Sequence, residues 1–442
     1  MERIEKGEET IYQILGDKEV MPNGFYRVSH YVITGQTEKA CYVKEMLGGA
    51  MFRLSEKEWS AFQELKEHGM TGSELETNGL SSFVTSHVAI LKESDEYQLY
   101  AKLRLVLRTL ANKEEGLKRY TILPTTACNA RCVYCYEEGM QIKSMSQETA
   151  NAVVDFICRT RRDREISITW FGGEPLIMKD VISYICERLT DQGVPFHSEI
   201  VTNAVLMDQN LAMEAQEKWH LKVVQVSVDG LRRDYENRKA FCDPKLHNYD
   251  TMMRAIHCIL DAGMKVILRC NYDEKNLQGM KAFLDEVRRE FGNTEQLSLY
   301  FGMLFQTWKS PLSLETYRAM YDLRRYLDET GMHYRSGGKK NSWFRVNYCM
   351  ADSLGESIVI DPEGRLSHCE HLPENSCFSS VFDQNYRFEM ADGADEPQDK
   401  CKYCPFLSQC TPFYGNGCED YTPYCRQLKE IDAEYAFEKM SF

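Results

Sequence analysis

The sequence predicts an α/β protein: a parallel (β/α)6 partial barrel, preceded by a small mixed domain and followed by a cysteine-rich one. Three observations carry this. Six strand-like runs alternate with helical stretches between residues 120 and 302, the pattern of a parallel sheet with crossover helices. The run Arg335 to Trp343, rich in Gly, Lys and Ser, marks a linker after them. Cysteines crowd into two places, Cys128 to Cys135 and Cys349 to Cys425, at spacings that suit metal ligation. The expected divisions are residues 1–112, 113–335 and 336–442.

With 442 residues, 43% of them hydrophobic, the chain can fill the cores of about three domains. Met1 to Lys18 is mostly charged and polar, and no apolar run approaches a membrane span, so a cytoplasmic protein with no membrane partner is expected. Seventeen cysteines would mean disulfides in a small secreted domain; in a reducing compartment their spacings make iron–sulfur ligation the better account. A net charge of -14 excludes a general nucleic-acid binder, which needs basic surface, and is compatible with a cationic peptide partner.

In chain order, Gly24 to Ile33 and Thr37 to Lys44 read as strands with Gly35 as the turn signal between them, a small hairpin. Ser55-Glu-Lys-Glu58 fits a capping box and opens a helix, Glu56 to His68, with Trp59, Phe62 and Leu65 on one face. A second helix is expected over Glu96 to Leu110, where Leu99, Leu103, Val106 and Leu110 recur at helical spacing. The barrel strands begin with Tyr120 to Thr126 and continue at Glu165–Phe171, Phe196–Thr202, Lys222–Val228, Lys265–Cys270 and Gln296–Gly302. Helices such as Thr149–Arg161 and Tyr249–Ala262 lie between. Loops after such strands build active sites.

The residues that carry chemistry fall in those loops. Cys128, Cys132 and Cys135 follow the first strand in a C-x3-C-x2-C loop. Three thiolates suit a soft metal centre, and a 4Fe-4S cluster held by three leaves one iron for a non-protein ligand. A zinc knuckle would want a fourth Cys or His nearby, whereas the next are Cys158, in a helix-like run, and His197. Trp170-Phe-Gly-Gly-Glu-Pro175 closes the second strand: Gly172 and Gly173 let backbone approach a ligand closely, and Glu174 offers an acceptor for an ammonium group. Thr202-Asn203 ends the third strand and Ser227-Val-Asp229-Gly230 the fourth, positions that an ordinary strand-end turn also explains. Cys158, Cys186, Cys242, Cys258 and Cys270 have no ligand-like spacing and read as small, mostly buried residues. Beyond the linker come Cys349, Gly364-x4-Cys369, Cys401-x2-Cys404-x5-Cys410, Cys418 and Cys425, with Asp361-Pro-Glu-Gly364 as a hairpin turn. By spacing alone these could also make a two-zinc ribbon.

This series of motifs resembles the radical S-adenosylmethionine (SAM) enzymes with a C-terminal SPASM extension, and among them the maturases of ribosomally made peptides. The resemblance covers about Tyr120 to Cys425. It implies a cluster on Cys128, Cys132 and Cys135 whose free iron chelates SAM, with Tyr134 as the aromatic residue of the loop. The reduced cluster then cleaves SAM to a 5′-deoxyadenosyl radical, which takes a hydrogen atom from the substrate. Gly172, Gly173 and Glu174 match the GGE motif that holds SAM's amino group. Thr202, Asn203, Ser227 and Asp229 match positions near its ribose and methionine parts. Arg269 matches the arginine that pairs with its carboxylate, with Asn276 close behind. The SPASM pattern implies two auxiliary 4Fe-4S clusters, the outer on Cys401, Cys404, Cys410 and Cys425 and the inner on Cys349, Cys369 and Cys418. Seven residues rather than three separate Cys410 from Cys418, a departure from the pattern. The strands and helices before the barrel resemble a winged-helix peptide-recognition element, with a structural cap as the alternative.

The function this implies is hydrogen abstraction from a residue of a precursor peptide and formation of a crosslink such as a thioether, with the peptide's leader and a reductant such as flavodoxin or ferredoxin as partners. An anaerobic sulfatase-maturating, formylglycine-forming enzyme shares the barrel and both auxiliary clusters. A non-catalytic iron–sulfur or zinc protein that binds peptide or carries electrons is the reading from another class. Residues 350–368 lack the additional cysteine that relatives often carry, and Cys377 is the nearby substitute: either Cys377 closes the inner cluster as an electron relay, or three cysteines leave an iron open for a substrate thiolate, and the open site is the expectation. Glu370, next to Cys369, stands where formylglycine-forming relatives carry an acidic base.

Overall fold

The computed structural model describes residues 1–15, 19–38, 40–111, 116–162, 164–304, 313–334, 344, 356–370, 377–387, 399–409 and 425–439. They belong to two compact units: Met1–Lys113 with Lys339–Cys349 and Asp392–Phe442, and Glu114–Gly338 with Met350–Ala391.

The first unit begins with Glu2–Glu5 (β1), Glu9–Leu15 (α1), Phe25–Val28 (β2), Val32–Gln36 (β3), Cys41–Glu45 (β4) and Met51–Leu54 (β5). Glu56–His68 (α2), Met70–Thr71 (β6), Gly72–Thr77 (α3), Ser82–Thr85 (α4), Ala89–Leu91 (β7) and Glu96–Ala111 (α5) follow. The strands make two sheets, β1-β5-β4-β3 and β6-β2-β7. Helix α2 starts at the expected capping box, in which Ser55 and Glu58 satisfy each other's backbone amides, and it buries Phe62 and Leu65.

The expected hairpin needs correction. The run from Gly24 to Ile33 is two strands in different sheets, broken where buried Glu96 accepts hydrogen bonds from Ser29 Oγ (2.5 Å) and His30 N (3.0 Å). The hairpin is β3–β4, and Gly35 lies inside it opposite Tyr42. Glycine stands there because a Cβ would lie 2.3 Å from the Phe437 ring. Helix α5 turns Tyr100 and Leu103 inward and leaves Leu110 45% exposed, so the buried face drifts off the expected one.

The second unit holds Arg119–Ile122 (β8), Gln147–Thr160 (α6), Ile166–Trp170 (β9), Lys179–Asp191 (α7), Phe196–Thr202 (β10) and Gln209–Lys218 (α8). Leu221–Val228 (β11), Arg232–Lys239 (α9), Tyr249–Asp261 (α10), Lys265–Tyr272 (β12), Leu277–Phe291 (α11), Leu297–Met303 (β13) and Leu314–Thr330 (α12) complete the alternation. Strands β8 to β13 are parallel neighbours in sequence order, as the expected (β/α)6 architecture requires. Strands β9 and β10 alternate buried side chains with partly exposed ones, as β10 does from Phe196 to Thr202, whereas β8 and β12 are buried along most of their length. The buried set, including Ile168, Trp170, Ile200, Val226 and Leu268, faces the helical layer.

Ser357–Ile360 (β14), Arg365–Ser367 (β15) and Ser379–Ser380 (β16) extend this sheet beyond β8. The expected turn is present: Asp361 Oδ1 accepts from Glu363 N and Arg365 N, both at 2.9 Å, and Gly364 has φ 79°. The segment 336–442 is therefore shared between the two units rather than standing apart from both, because β14 pairs in parallel with β8. Its later part joins the first unit. There Cys425–Lys439 (α13) packs on β3, and Phe406 and Leu407 enter a core with Ile11, Tyr31, Met46 and Tyr100. Among the described residues, no helix is long and apolar enough to cross a membrane.

Candidate active site

The loop after β8 carries Cys128, Cys132 and Cys135, all partly buried. Cys135 N donates to Cys132 O at 3.0 Å, closing a tight turn. The loop rests on the end of α9: Arg131 N donates to Lys239 O (3.0 Å), Val133 N to Arg238 O (3.1 Å), and Ala130 bridges to Phe241. Ala240, at φ 46°, turns the chain there in a left-handed conformation that non-glycine residues seldom adopt.

Opposite lies the turn after β9. Gly173 N donates to Thr125 O (3.1 Å) and Glu174 N to Ala127 O (2.8 Å), so this turn hydrogen-bonds to the residues just before Cys128. A Cβ on Gly172 would stand 2.4 Å from Thr125 O, and one on Gly173 would stand 2.3 Å from Ala127 O. Both glycines are needed for one backbone to lie on the other. Glu174 is fully buried and accepts from Thr202 Oγ1 (2.6 Å), Asn203 N (2.9 Å) and Leu176 N (3.1 Å). Burial raises its pKa against those donors. A carboxylate has about four acceptor positions, so roughly one remains for a further donor. Thr202 and Asn203 thus orient Glu174, and Asn203 Nδ2 also donates to Asn129 Oδ1 in the cysteine loop (2.8 Å).

A second network joins the loop to β11 and β12. Tyr134 OH donates to Asp229 Oδ2 (2.9 Å) and accepts from Lys239 Nζ (3.0 Å) and Asn271 Nδ2 (3.1 Å). Lys239 Nζ lies 3.3 Å from Asp229 Oδ2, with both side chains buried. Burial alone would lower the lysine pKa; Asp229, then Tyr134 and Cys132, outweigh it and hold the ammonium well above its ordinary value. Arg238 grips Asp273 through two hydrogen bonds (3.2 and 2.8 Å), and Asn276 Nδ2 donates to Asp229 O (2.9 Å). Ser227 and Arg269 are register neighbours on the partly exposed face of the sheet, and Gly302 leaves room beside Arg269.

Sequence reasoning named Tyr134, Glu174, Asp229, Arg269 and Asn276. It missed Asn129, Arg238, Lys239, Asn271 and Asp273. Arg238 and Lys239 look like the ordinary basic end of a helix, and the signal that could have found them was their place soon after Asp229-Gly230.

The residues fit the cofactors their motifs imply. Burial raises the Cys128 thiol to about 12 and the Cys132 and Cys135 thiols above their ordinary value, so ligation there would release protons. Arg269 Nε, Asp229 Oδ1 and Asn271 Oδ1 are buried polar atoms without a hydrogen-bond partner among the described residues, the condition a polar ligand relieves. Among the described residues, no group of three His, Cys, Asp or Glu side chains is placed to hold a single metal ion. A multi-iron cluster does not need its thiolates to converge on one point.

Of the C-terminal cysteines, Cys369 follows β15, and Glu370 is close enough to Tyr136 for their charges to interact. Cys401 and Cys404 share an i to i+3 turn, with Cys404 N donating to Cys401 O at 3.0 Å as in the Cys132–Cys135 turn. Cys349, Cys410 and Cys418 lie outside the described residues, as do the Cys425 side chain and the expected linker.

Comparison with known proteins agrees with the barrel assignment. The Radical SAM superfamily profile matches residues 122–287. An uncharacterized protein of Methanocaldococcus jannaschii is 25% identical over 280 residues, 61% of this chain and 91% of that one. Fe-coproporphyrin III synthase of Methanosarcina barkeri is 27% identical over 169 residues, 38% of this chain and 40% of its own length. Two solved structures share the fold. One is anSMEcpe with bound AdoMet and Cp18Cys peptide, at TM-score 0.56 and 16% identity over 73% of this chain and 98% of that one. The other is Streptococcus suis SuiB bound to precursor peptide SuiA, at TM-score 0.52 and 12% identity over 88% and 95%.

Proposed function

We propose that this chain, a radical SAM enzyme whose domain of that superfamily spans residues 122–287, matures a ribosomally made precursor peptide by installing a crosslink such as a thioether. When bound, a reduced 4Fe-4S cluster and SAM supply a 5′-deoxyadenosyl radical that takes a hydrogen atom from the substrate. The chain's own residues hold and orient. Cys128, Cys132 and Cys135 supply the thiolates. Glu174, held by Thr202 and Asn203, offers its remaining acceptor position to an ammonium group. Arg269 offers its unpartnered Nε to a carboxylate. The remaining cysteines would hold two auxiliary clusters, and the electrons would come from a carrier such as flavodoxin or ferredoxin.

The observation that carries the peptide reading is the hairpin β14–β15, which continues the radical SAM sheet and brings Cys369 and Glu370 to the side of the cysteine loop. Both solved structures described above are peptide complexes, which supports a peptide substrate. A formylglycine-forming activity is the second reading, favoured by Glu370 directly after Cys369. Anaerobically reconstituted enzyme given a one-electron reductant should cleave SAM to 5′-deoxyadenosine and methionine. The Cys128→Ala, Cys132→Ala, Cys135→Ala triple variant should lose cleavage and keep its C-terminal iron; undiminished cleavage would overturn the proposal. Mass loss on a Cys-containing sulfatase peptide, with none on a peptide encoded beside this chain, would select the second reading.

A further inference from the structure

Lys239 is an unusual residue to find behind a cysteine loop. It is 3% exposed, and its ammonium touches two groups from different elements: the Asp229 carboxylate at the end of β11 and the Tyr134 hydroxyl in the loop. Its backbone carbonyl takes Arg131 N from the same loop. One residue therefore holds the loop through its main chain and links it to the strand end through its side chain. The Tyr134 hydroxyl is the junction, since it also donates to Asp229 Oδ2 and accepts from Asn271 Nδ2.

The arrangement leaves a specific remainder. The atoms that meet Tyr134, Asp229 Oδ2 and Asn271 Nδ2, are satisfied, while the remaining oxygen of each side chain, Asp229 Oδ1 and Asn271 Oδ1, has no hydrogen-bond partner among the described residues. Arg238 Nε lies 3.7 Å from Asp229 Oδ1, too far for a hydrogen bond. Both leftover atoms are acceptors on side chains that share the Tyr134 hydroxyl, so they call for donors. Such buried acceptors fit a ligand that offers hydroxyl groups as donors.

Resting on the radical SAM reading above, we propose that Lys239 is a positioning residue: it fixes Asp229 and Tyr134 against each other so that the free acceptors face the hydroxyls of the bound nucleoside. Without the ammonium, the buried carboxylate loses the nearer of its two counter-charges and is free to rotate, and the tyrosine loses one of the two donors that orient it. The effect falls on recognition of the hydroxyls and spares the thiolates.

The test compares dissociation constants for SAM and for its 2′-deoxy analogue, with iron per chain measured on every sample. Wild-type enzyme should bind SAM roughly tenfold to hundredfold more tightly than the analogue. Lys239→Met, which keeps the buried stem and removes the charge, should weaken SAM by a similar factor, bind both nucleosides about equally and keep wild-type iron. The charge-retaining Lys239→Arg should restore part of the preference. Should Lys239→Met fail to fold, Tyr134→Phe removes only the junction hydroxyl and should reduce the preference in the same direction. An unchanged preference in Lys239→Met, or in Tyr134→Phe where that variant must stand in, overturns the proposal, as does equal weakening of both nucleosides accompanied by iron loss. Failure of wild-type enzyme to bind SAM at all overturns the radical SAM reading instead.

Discussion

At Gly173 a single methyl group decides whether two loops can share a space. The Cβ would stand 2.3 Å from Ala127 O and 2.6 Å from Thr126 O, both backbone atoms that cannot swing aside. Gly173→Ala is therefore expected to push the chain before Cys128 outward and cost about 1–3 kcal/mol of stability. SAM affinity should fall more than the thermal midpoint does; wild-type affinity in the variant would show that the contact tolerates expansion. Glu45, in the first unit, makes a different kind of prediction. It is fully buried, and burial raises its pKa to about 7 although Gly48 N, Leu47 N and Tyr12 OH donate to it. Its folded pKa thus lies above the ordinary 4.5, so the folded state binds the extra proton between those values. The stability linked to this proton is complete below about pH 4.5 and is lost as pH rises through about 7, amounting to roughly 3 kcal/mol. Glu45→Gln cannot ionise, so its stability relative to wild type should improve from pH 5 to pH 8. Urea midpoints measured at the two pH values, with a constant difference between the proteins, would refute the assignment.

Elements were legible in proportion to how much of their pattern is local. Strand β10 was read with its observed ends, Phe196 and Thr202, because every second residue is buried and the run is bounded by turns. The capping box of α2 lies within four residues and was equally plain. Gly35 was misread because its cause, the Phe437 ring, comes from the far end of the chain. Lys239 was missed for the same reason: a basic residue at a helix end looks solvated until Asp229 and Tyr134 are brought to it. The C-terminal hairpin adds something its spacing did not show. Leu366 pairs with Ser379, and Phe378 N donates to Leu366 O, so the ladder leads Cys377 toward the strand end that carries Cys369. That placement favours Cys377 as a fourth ligand over the open iron expected from spacing. Cys377→Ala should then lose about one cluster's iron, and unchanged iron would restore the open-site reading.

For the whole molecule, the question is whether the N-terminal region serves the peptide or merely covers the chain. We expect the peptide's leader to add a strand to the exposed edge β3, where main-chain hydrogen bonds supply affinity and side-chain pockets supply choice. Strand β3 ends its sheet, Thr34 and Gln36 on it are exposed, and a groove of about 690 Å³ lies alongside between β3 and α13. Deleting residues 1–112 is a poor test. Tyr31 OH donates to Lys402 O at 2.6 Å, Ser408 Oγ donates to Met46 O, and Tyr42 stacks on Phe437 with ring centroids 5.8 Å apart. The deletion would strip the C-terminal segment of the core it packs in, and any loss of binding would report that damage. A photo-crosslinking residue placed at Thr34 or Gln36 leaves this core intact. With a candidate precursor peptide, crosslinks from these positions should map to its leader and be competed by free leader. A peptide that is modified normally while crosslinking from neither position would make the region a structural cap, since a strand added to β3 must pass within reach of both side chains.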